Sequence, residues 1–159
     1  MTNVEDLSHC LEDYLEAIYV ISLKKKVVRV KEVAEYLNVK TPSVVDAVSK
    51  LAERGFVTHE KYGYLTLTKK GNEIAKDVYS RHKQIFKFLN EVLGIEPDTS
   101  EKDACGLEHH ISKKSMDKIT KLIEFIKSST EDYDKWLKNF NKFVNTKENK
   151  ENKINENNL

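Results

Sequence analysis

Val30-Lys-Glu-Val-Ala-Glu-Tyr-Leu-Asn-Val-Lys-Thr-Pro-Ser-Val-Val-Asp-Ala-Val-Ser-Lys-Leu-Ala-Glu-Arg-Gly55 is the stretch on which the fold turns. Val30, Val33, Ala34 and Leu37 recur at helical spacing and mark one short amphipathic helix, closed by Asn38-Val39-Lys40. Thr41 is expected to cap a second helix with Pro42 at its first position, where a missing N–H costs nothing. Val44, Val45, Val48, Leu51 and Ala52 carry that helix to a stop at Gly55. Two short helices joined by a brief turn form a helix-turn-helix. Beyond Gly55 the period changes: Phe56-Val-Thr-His-Glu-Lys-Tyr-Gly-Tyr-Leu-Thr-Leu-Thr68 holds β-branched and aromatic residues in two runs around Tyr62-Gly63, which predicts a hairpin with glycine in the turn. A hairpin appended to a helix-turn-helix is a winged helix.

Working outward, Leu11, Tyr14, Leu15, Ile18 and Ile21 predict a first helix from Ser8, its N-cap, to Leu23. On the other side Thr68-Lys-Lys-Gly71 opens a long helix, about Lys69 to Leu93, through Ile74, Ala75, Val78, Ile85, Leu89 and Val92, ended by Gly94. A loop with Pro97 leads to a helix around Cys105. Ser115 is expected to cap another from Met116 to Ser128, and Tyr133, Trp136, Leu137, Phe140, Phe143 and Val144 predict a last one. The Asn, Lys and Glu-rich stretch 145–159 has almost nothing to bury and is expected to be disordered. The fold class is therefore mainly α: a winged helix-turn-helix over 1–70, a helical domain over 71–144 and a polar tail.

The 159 residues, 39% of them apolar, suffice for one compact unit or two small ones. No window approaches the roughly 20 apolar residues of a membrane span, and the acidic start lacks the basic and then apolar pattern of a signal peptide, so a cytoplasmic protein without a membrane partner is expected. Cys10 and Cys105, far apart, are expected to be unbridged or metal-bound in a reducing compartment. The formal charge is only +1, but residues 23–70 carry eleven basic side chains against five acidic ones. That surplus, with Lys50 on the second helix of the motif and Lys61 near the hairpin tip, suits a polyanion.

Asp103-Ala-Cys-Gly-Leu-Glu-His-His-Ile-Ser112 places a thiol, a carboxylate and an imidazole at i, i+3 and i+4 in Cys105, Glu108 and His109. On a helix these share one face and can converge on one ion, and their types suit a divalent first-row transition metal better than calcium or magnesium. A metalloenzyme is one alternative, but there is no His-Glu-x-x-His, no pair of Glu-x-x-His helices and no nucleophile elbow. A regulator with a purely structural metal is the other, and it predicts that a chelator unfolds the protein.

These segments, with Leu11-Glu-Asp-Tyr-Leu-Glu-Ala-Ile-Tyr19, Glu60-Lys-Tyr-Gly63 and Arg81-His82, resemble the diphtheria toxin repressor family of metal-dependent transcriptional regulators, from about residue 7 to 130. The chain stops before a third, SH3-like domain would begin, so it is similar to the two-domain, manganese transport regulator-like branch. The resemblance implies a homodimeric repressor of metal-homeostasis genes that binds a palindromic operator in double-stranded DNA, takes no small-molecule substrate, and uses Mn2+ or Fe2+ as co-repressor, with Co2+, Ni2+ or Zn2+ able to substitute in vitro.

It also implies roles for residues. Metal positions of the branch fall on Asp13, Glu16, His82, Cys105, Glu108 and His109. Phe86 stands where long, iron-responsive members place a carboxylate of a second site, so that site is not expected here. Asp13 matches the manganese-responsive branch and Cys105 the iron-responsive one, which leaves Mn(II) and Fe(II) both open. Thr41, Pro42, Ser43, Asp46, Ala47 and Lys50 are the expected readout face, and Lys40, Lys61 and Tyr62 the expected phosphate contacts. The dimer contact is assigned to helices after residue 94, with Leu107, Ile111, Ile119 and Leu122 as candidates.

Overall fold

The computed structural model of the chain describes residues 7–59, 63–128, 135–144 and 146. It divides into two compact units, Met1–His82 and Lys83–Leu159. Among the described residues no helix is long and apolar enough to cross a membrane.

The N-terminal unit runs α1 (His9–Lys24), β1 (Val28–Arg29), α2 (Val30–Leu37), α3 (Thr41–Glu53), β2 (Val57–His59), β3 (Tyr64–Leu67) and then α4 (Lys69–Lys87), within which the division falls. Ser8 caps α1 through its backbone alone, its carbonyl accepting from the Leu11 and Glu12 N–H groups at 2.8 and 3.1 Å. α2 ends on Asn38 in the left-handed region (φ 53°), which asparagine tolerates better than most side chains. Thr41 does not cap α3. The extended flanking residue is Lys40, whose carbonyl accepts the Ser43 N–H at 3.0 Å, so Pro42 is second in the helix, where first-turn N–H groups still have no intrahelical partner.

Val44, Ala47, Val48 and Leu51 of α3 meet Leu15, Ala17 and Ile18 of α1 and Val33 and Ala34 of α2 in one core. Each valine, leucine or isoleucine there contributes about 1.5–3 kcal/mol relative to exposure, and each alanine less. Val45, expected among the apolar residues of that helix, is 49% exposed, because consecutive helical residues point about 100° apart and Val44 has taken the core position. The wing has three antiparallel strands in the order β1-β3-β2, with Val28 opposite Leu65 and Thr58 opposite Thr66. Gly63 enters β3 at φ 76°.

Thr68 joins wing to α4. Its hydroxyl accepts the Gly71 N–H at 3.1 Å and donates to the Gly55 carbonyl at 2.8 Å, while its own N–H donates to the Phe56 carbonyl at 2.9 Å.

The C-terminal unit takes the end of α4, a π-helical turn (Phe88–Val92), α5 (Pro97–Leu107), α6 (Lys113–Ser128) and α7 (residues 135–144). The π turn, marked by the Leu93 N–H donating to the Phe88 carbonyl at 3.0 Å, replaces the last turn of the expected uninterrupted helix. Gly94 then turns the chain at φ 71°, and Asn90 Nδ2 and the buried Ser100 hydroxyl both donate to the Ile95 carbonyl. Ile85, Leu89, Ala104 and Met116 form one core, with Phe86 packed against it; Val92, Ile123 and Ile126 form another. α6 starts three residues before Met116. Ser112, not Ser115, receives the first-turn bond, its hydroxyl accepting the Ser115 N–H at 3.1 Å. Trp136 and Phe140 stack at 5.4 Å on α7; Tyr133 and, Thr146 apart, the polar tail lie outside the described residues.

Candidate metal centre and nucleic-acid interface

Each unit contributes side chains of metal-ligating type. α1 puts Asp13 and Glu16 at i, i+3, both half-buried. One turn further Tyr19 meets Tyr79 of α4, ring centroids 5.7 Å apart, which sets α1 beside α4. In consequence a Glu16 carboxylate oxygen and a His82 ring nitrogen lie within 4.8 Å of each other.

In the C-terminal unit Glu108 Oε1 is 3.2 Å from His109 Nε2, with the Glu108 side chain fully buried and that of His109 only 6% exposed. A buried carboxylate is costly unless a cation or donor meets it, so this pairing is chemically primed for a positive ion. The expectation that Cys105, Glu108 and His109 share one helix holds only in part. α5 stops at Leu107, Glu108 is its C-cap, still in the right-handed helical region, and His109 sits in the following turn, where the Leu107 carbonyl accepts the N–H groups of both His110 and Ile111. Gly106 weakens the helix there, and Ser112 is committed to the next one. Cys105 is exposed and falls outside the donor groups; among the described residues no disulfide joins it to Cys10.

On α3, Thr41, Pro42, Ser43, Asp46 and Lys50 are exposed, and Lys40 is exposed at its start. Ala47 is not on that face: at 4% exposure it packs into the N-terminal core, because 44, 47, 48 and 51 share the inward side of the helix. Val45 is the outward residue that pattern reading missed; the two adjacent valines were the signal, since a helix buries only one. Lys50 Nζ lies 2.7 Å from Asp46 Oδ2, and that carboxylate holds the ammonium's pKa above its ordinary value. Lys61 and Tyr62 lie outside the described residues. Of the dimer candidates, Leu107 and Leu122 are 45% and 44% exposed, whereas Ile111 and Ile119 pack inside their own unit; Phe125 on α6, at 69%, was not foreseen.

Residues 6–65 match the family model for the iron dependent repressor N-terminal DNA binding domain, and residues 68–137 the model for the iron dependent repressor metal binding and dimerisation domain. The chain belongs to the iron-dependent repressor family. It is similar to an HTH-type transcriptional regulator of Methanocaldococcus jannaschii, 38% identical over 76% of this chain and 98% of that protein. It is 36% identical to the HTH-type transcriptional regulator MntR of Lysinibacillus sphaericus over 75% and 85% of the two chains, which puts it on the MntR-like branch. Among solved structures the manganese regulator SloR aligns with TM-score 0.66 and 32% identity, over 72% of this chain and 54% of that one, so the chain spans about half of that protein. Members of the family are transcriptional regulators, not enzymes, and their two domains bind DNA and, respectively, metal and a second copy.

Proposed function

We propose that the chain is a cytoplasmic homodimeric repressor of metal-homeostasis genes, with Mn2+ or Fe2+ as co-repressor held by Asp13, Glu16, His82, Cys105, Glu108 and His109. The observation that carries this reading is the pre-gathered donor pair in each unit, Glu16 with His82 and Glu108 with His109. Three carboxylates, two imidazoles and one thiolate fit a divalent first-row ion. When bound, such an ion supplies positive charge that offsets the mutual repulsion of the carboxylates.

The residues do the rest. Asp13, Glu16 and His82 belong to the unit that carries α3; Cys105, Glu108 and His109 belong to the other. A shared ligand set favours the arrangement in which both half-sets are satisfied, and so biases an existing equilibrium toward the DNA-competent dimer. Two α3 helices then address successive major grooves, about 34 Å apart. Lys40, Lys61 and Tyr62 contact phosphates, and Thr41, Pro42, Ser43, Asp46 and Lys50 face base edges. The name of SloR, a manganese regulator, and of a further neighbour solved as a manganese-dependent repressor with manganese support Mn2+, and the family's iron-dependent description supports Fe2+.

The test is operator binding titrated with Mn(II) and with anaerobic Fe(II) for wild type, Glu16→Gln and Glu108→Gln. Both variants should keep native circular dichroism and lose metal activation. Retention of wild-type activation in either would overturn the ligand assignment. Chelator separates a sensor, which stays folded and loses DNA affinity, from a protein whose metal is structural, which unfolds.

A further inference from the structure

The outward side of α3 carries a carboxylate, which is the wrong charge for a surface that meets phosphates. Asp46 and Lys50 are 66% and 57% exposed, stand one turn apart with Ser43 a turn before them, and share an ion pair of 2.7 Å. A solvated i, i+4 pair adds little to a helix, and Lys31–Glu35 on α2 and Lys121–Asp117 on α6 are pairs of that ordinary kind. On the readout face the same pair has a chemical consequence. It leaves no net charge there, so Lys50 is withdrawn from service as a simple phosphate clamp. It also sets an acceptor beside a donor: the carboxylate has lone pairs beyond the one that Lys50 occupies, and the ammonium has N–H groups beyond the one that Asp46 takes.

In the major groove a C·G pair displays the complementary pattern, the cytosine N4 amine as donor beside the guanine O6 and N7 acceptors. We propose that Asp46 and Lys50 act as one two-pronged reader of a C·G pair in each half-site, Asp46 accepting from cytosine N4 and positioning Lys50 for guanine O6 or N7. This rests on the reading of α3 as the helix that enters the groove. Asp46 thereby determines specificity twice: it rewards the amine of cytosine, and it penalises any register in which it faces a phosphate.

The experiment is selection of operators from a randomised pool by the full-length protein with Mn(II), followed by affinity measurement on the selected and on non-operator DNA, for wild type, Asp46→Asn, Asp46→Ala, Lys50→Met and Ser43→Ala. Wild type should fix a C·G pair at one symmetric position of each half-site, preferred by about tenfold or more. Asp46→Asn should move that position toward A·T, because a side-chain amide pairs with adenine N6 and N7. Asp46→Ala should lose the preference and bind non-operator DNA more tightly, with a steeper salt dependence. Should both Asp46 variants keep the wild-type profile while Ser43→Ala or Lys50→Met changes it, α3 reads DNA but Asp46 does not, and the inference fails alone. A profile unmoved by every α3 variant overturns both this inference and the assignment of readout to α3. A fixed A·T pair in wild type overturns the assignment to cytosine.

Discussion

Replacing Gly71 with alanine measures how tightly α4 is seated on the wing. An ideal Cβ at this position comes within 1.9 Å of the Phe56 carbonyl oxygen, 2.8 Å of its carbon and 3.2 Å of its Cα, all backbone atoms with no rotamer to retreat into. Gly71 has an ordinary helical conformation, so glycine is required there for space and not for torsion. In an unobstructed helix the substitution would stabilise by about 1 kcal/mol. Here the contact must open by roughly an ångström, and overpacking of that kind costs about 1–3 kcal/mol or more. The Thr68 bonds to the carbonyls of Gly55 and Phe56 lie in the same joint, and losing one or two removes about 1 kcal/mol each. The net expectation is a loss of about 1–4 kcal/mol, a fall of roughly 5–30 °C in Tm for a unit of this size. Gly106 in α5 is the matched control: nothing lies within 4 Å of its Cβ, so Gly106→Ala should hold or raise stability. Far-ultraviolet circular dichroism during thermal and urea unfolding reads both. Equal stability of the two variants would refute the packing argument.

Three further outcomes are expected. Cobalt-loaded protein should show a near-ultraviolet thiolate charge-transfer band that Cys105→Ser lacks; activation of DNA binding by cobalt without that band in wild type would remove Cys105 from the ligand set. The Glu32 carboxylate is held below its ordinary value of 4.5, first by its hydrogen bond with Lys25 and then by the Arg29 backbone N–H, which donates to it at 3.0 Å. Its contribution to stability is therefore complete above that value and lost as the pH falls through the lowered one, so melts between about pH 2.5 and 6 should show less acid sensitivity in Glu32→Gln. Phe125→Glu and Leu122→Glu should shift sedimentation toward monomer while leaving helical content intact, since both side chains are exposed on α6; an unchanged dimer would place the contact elsewhere.

The fold is most legible in the sequence where local chemistry decides the outcome. α2 ends where Asn38 ends it, α3 stops at Gly55, and the wing follows from β-branched alternation around Gly63. It is not legible where the deciding partner is distant. β1 is two residues long and exists because Leu65 and Tyr64 pair with it, a contact that no local pattern announces. Ala47 is helix-compatible on either face, and only the packed α1 explains why it faces inward. Glu108 and His109 were legible by type and spacing as candidate donors, but not that α5 ends at Leu107, five residues before the Ser112 hydroxyl that receives the first-turn bond of α6. Asp46 and Lys50 were legible as members of the expected readout face; that they are ion-paired at 2.7 Å is seen only in the fold.

The π turn at Phe88–Val92 is a phase slip in an otherwise regular screw. In an unbroken α-helix Ile85, Leu89 and Val92 would fall on one stripe and serve one core. Here Ile85 and Leu89 pack with Ala104 and Met116, while Val92 packs with Ile123 and Ile126. One rod thus feeds two hydrophobic clusters. A relative one residue shorter in this turn would restore the α-helical pitch, and every side chain beyond it would advance by about 100°. Single-residue gaps within 88–92 are therefore the changes to watch when chains of this family are aligned, since each re-aims the start of the path to α5 without altering a single residue of it.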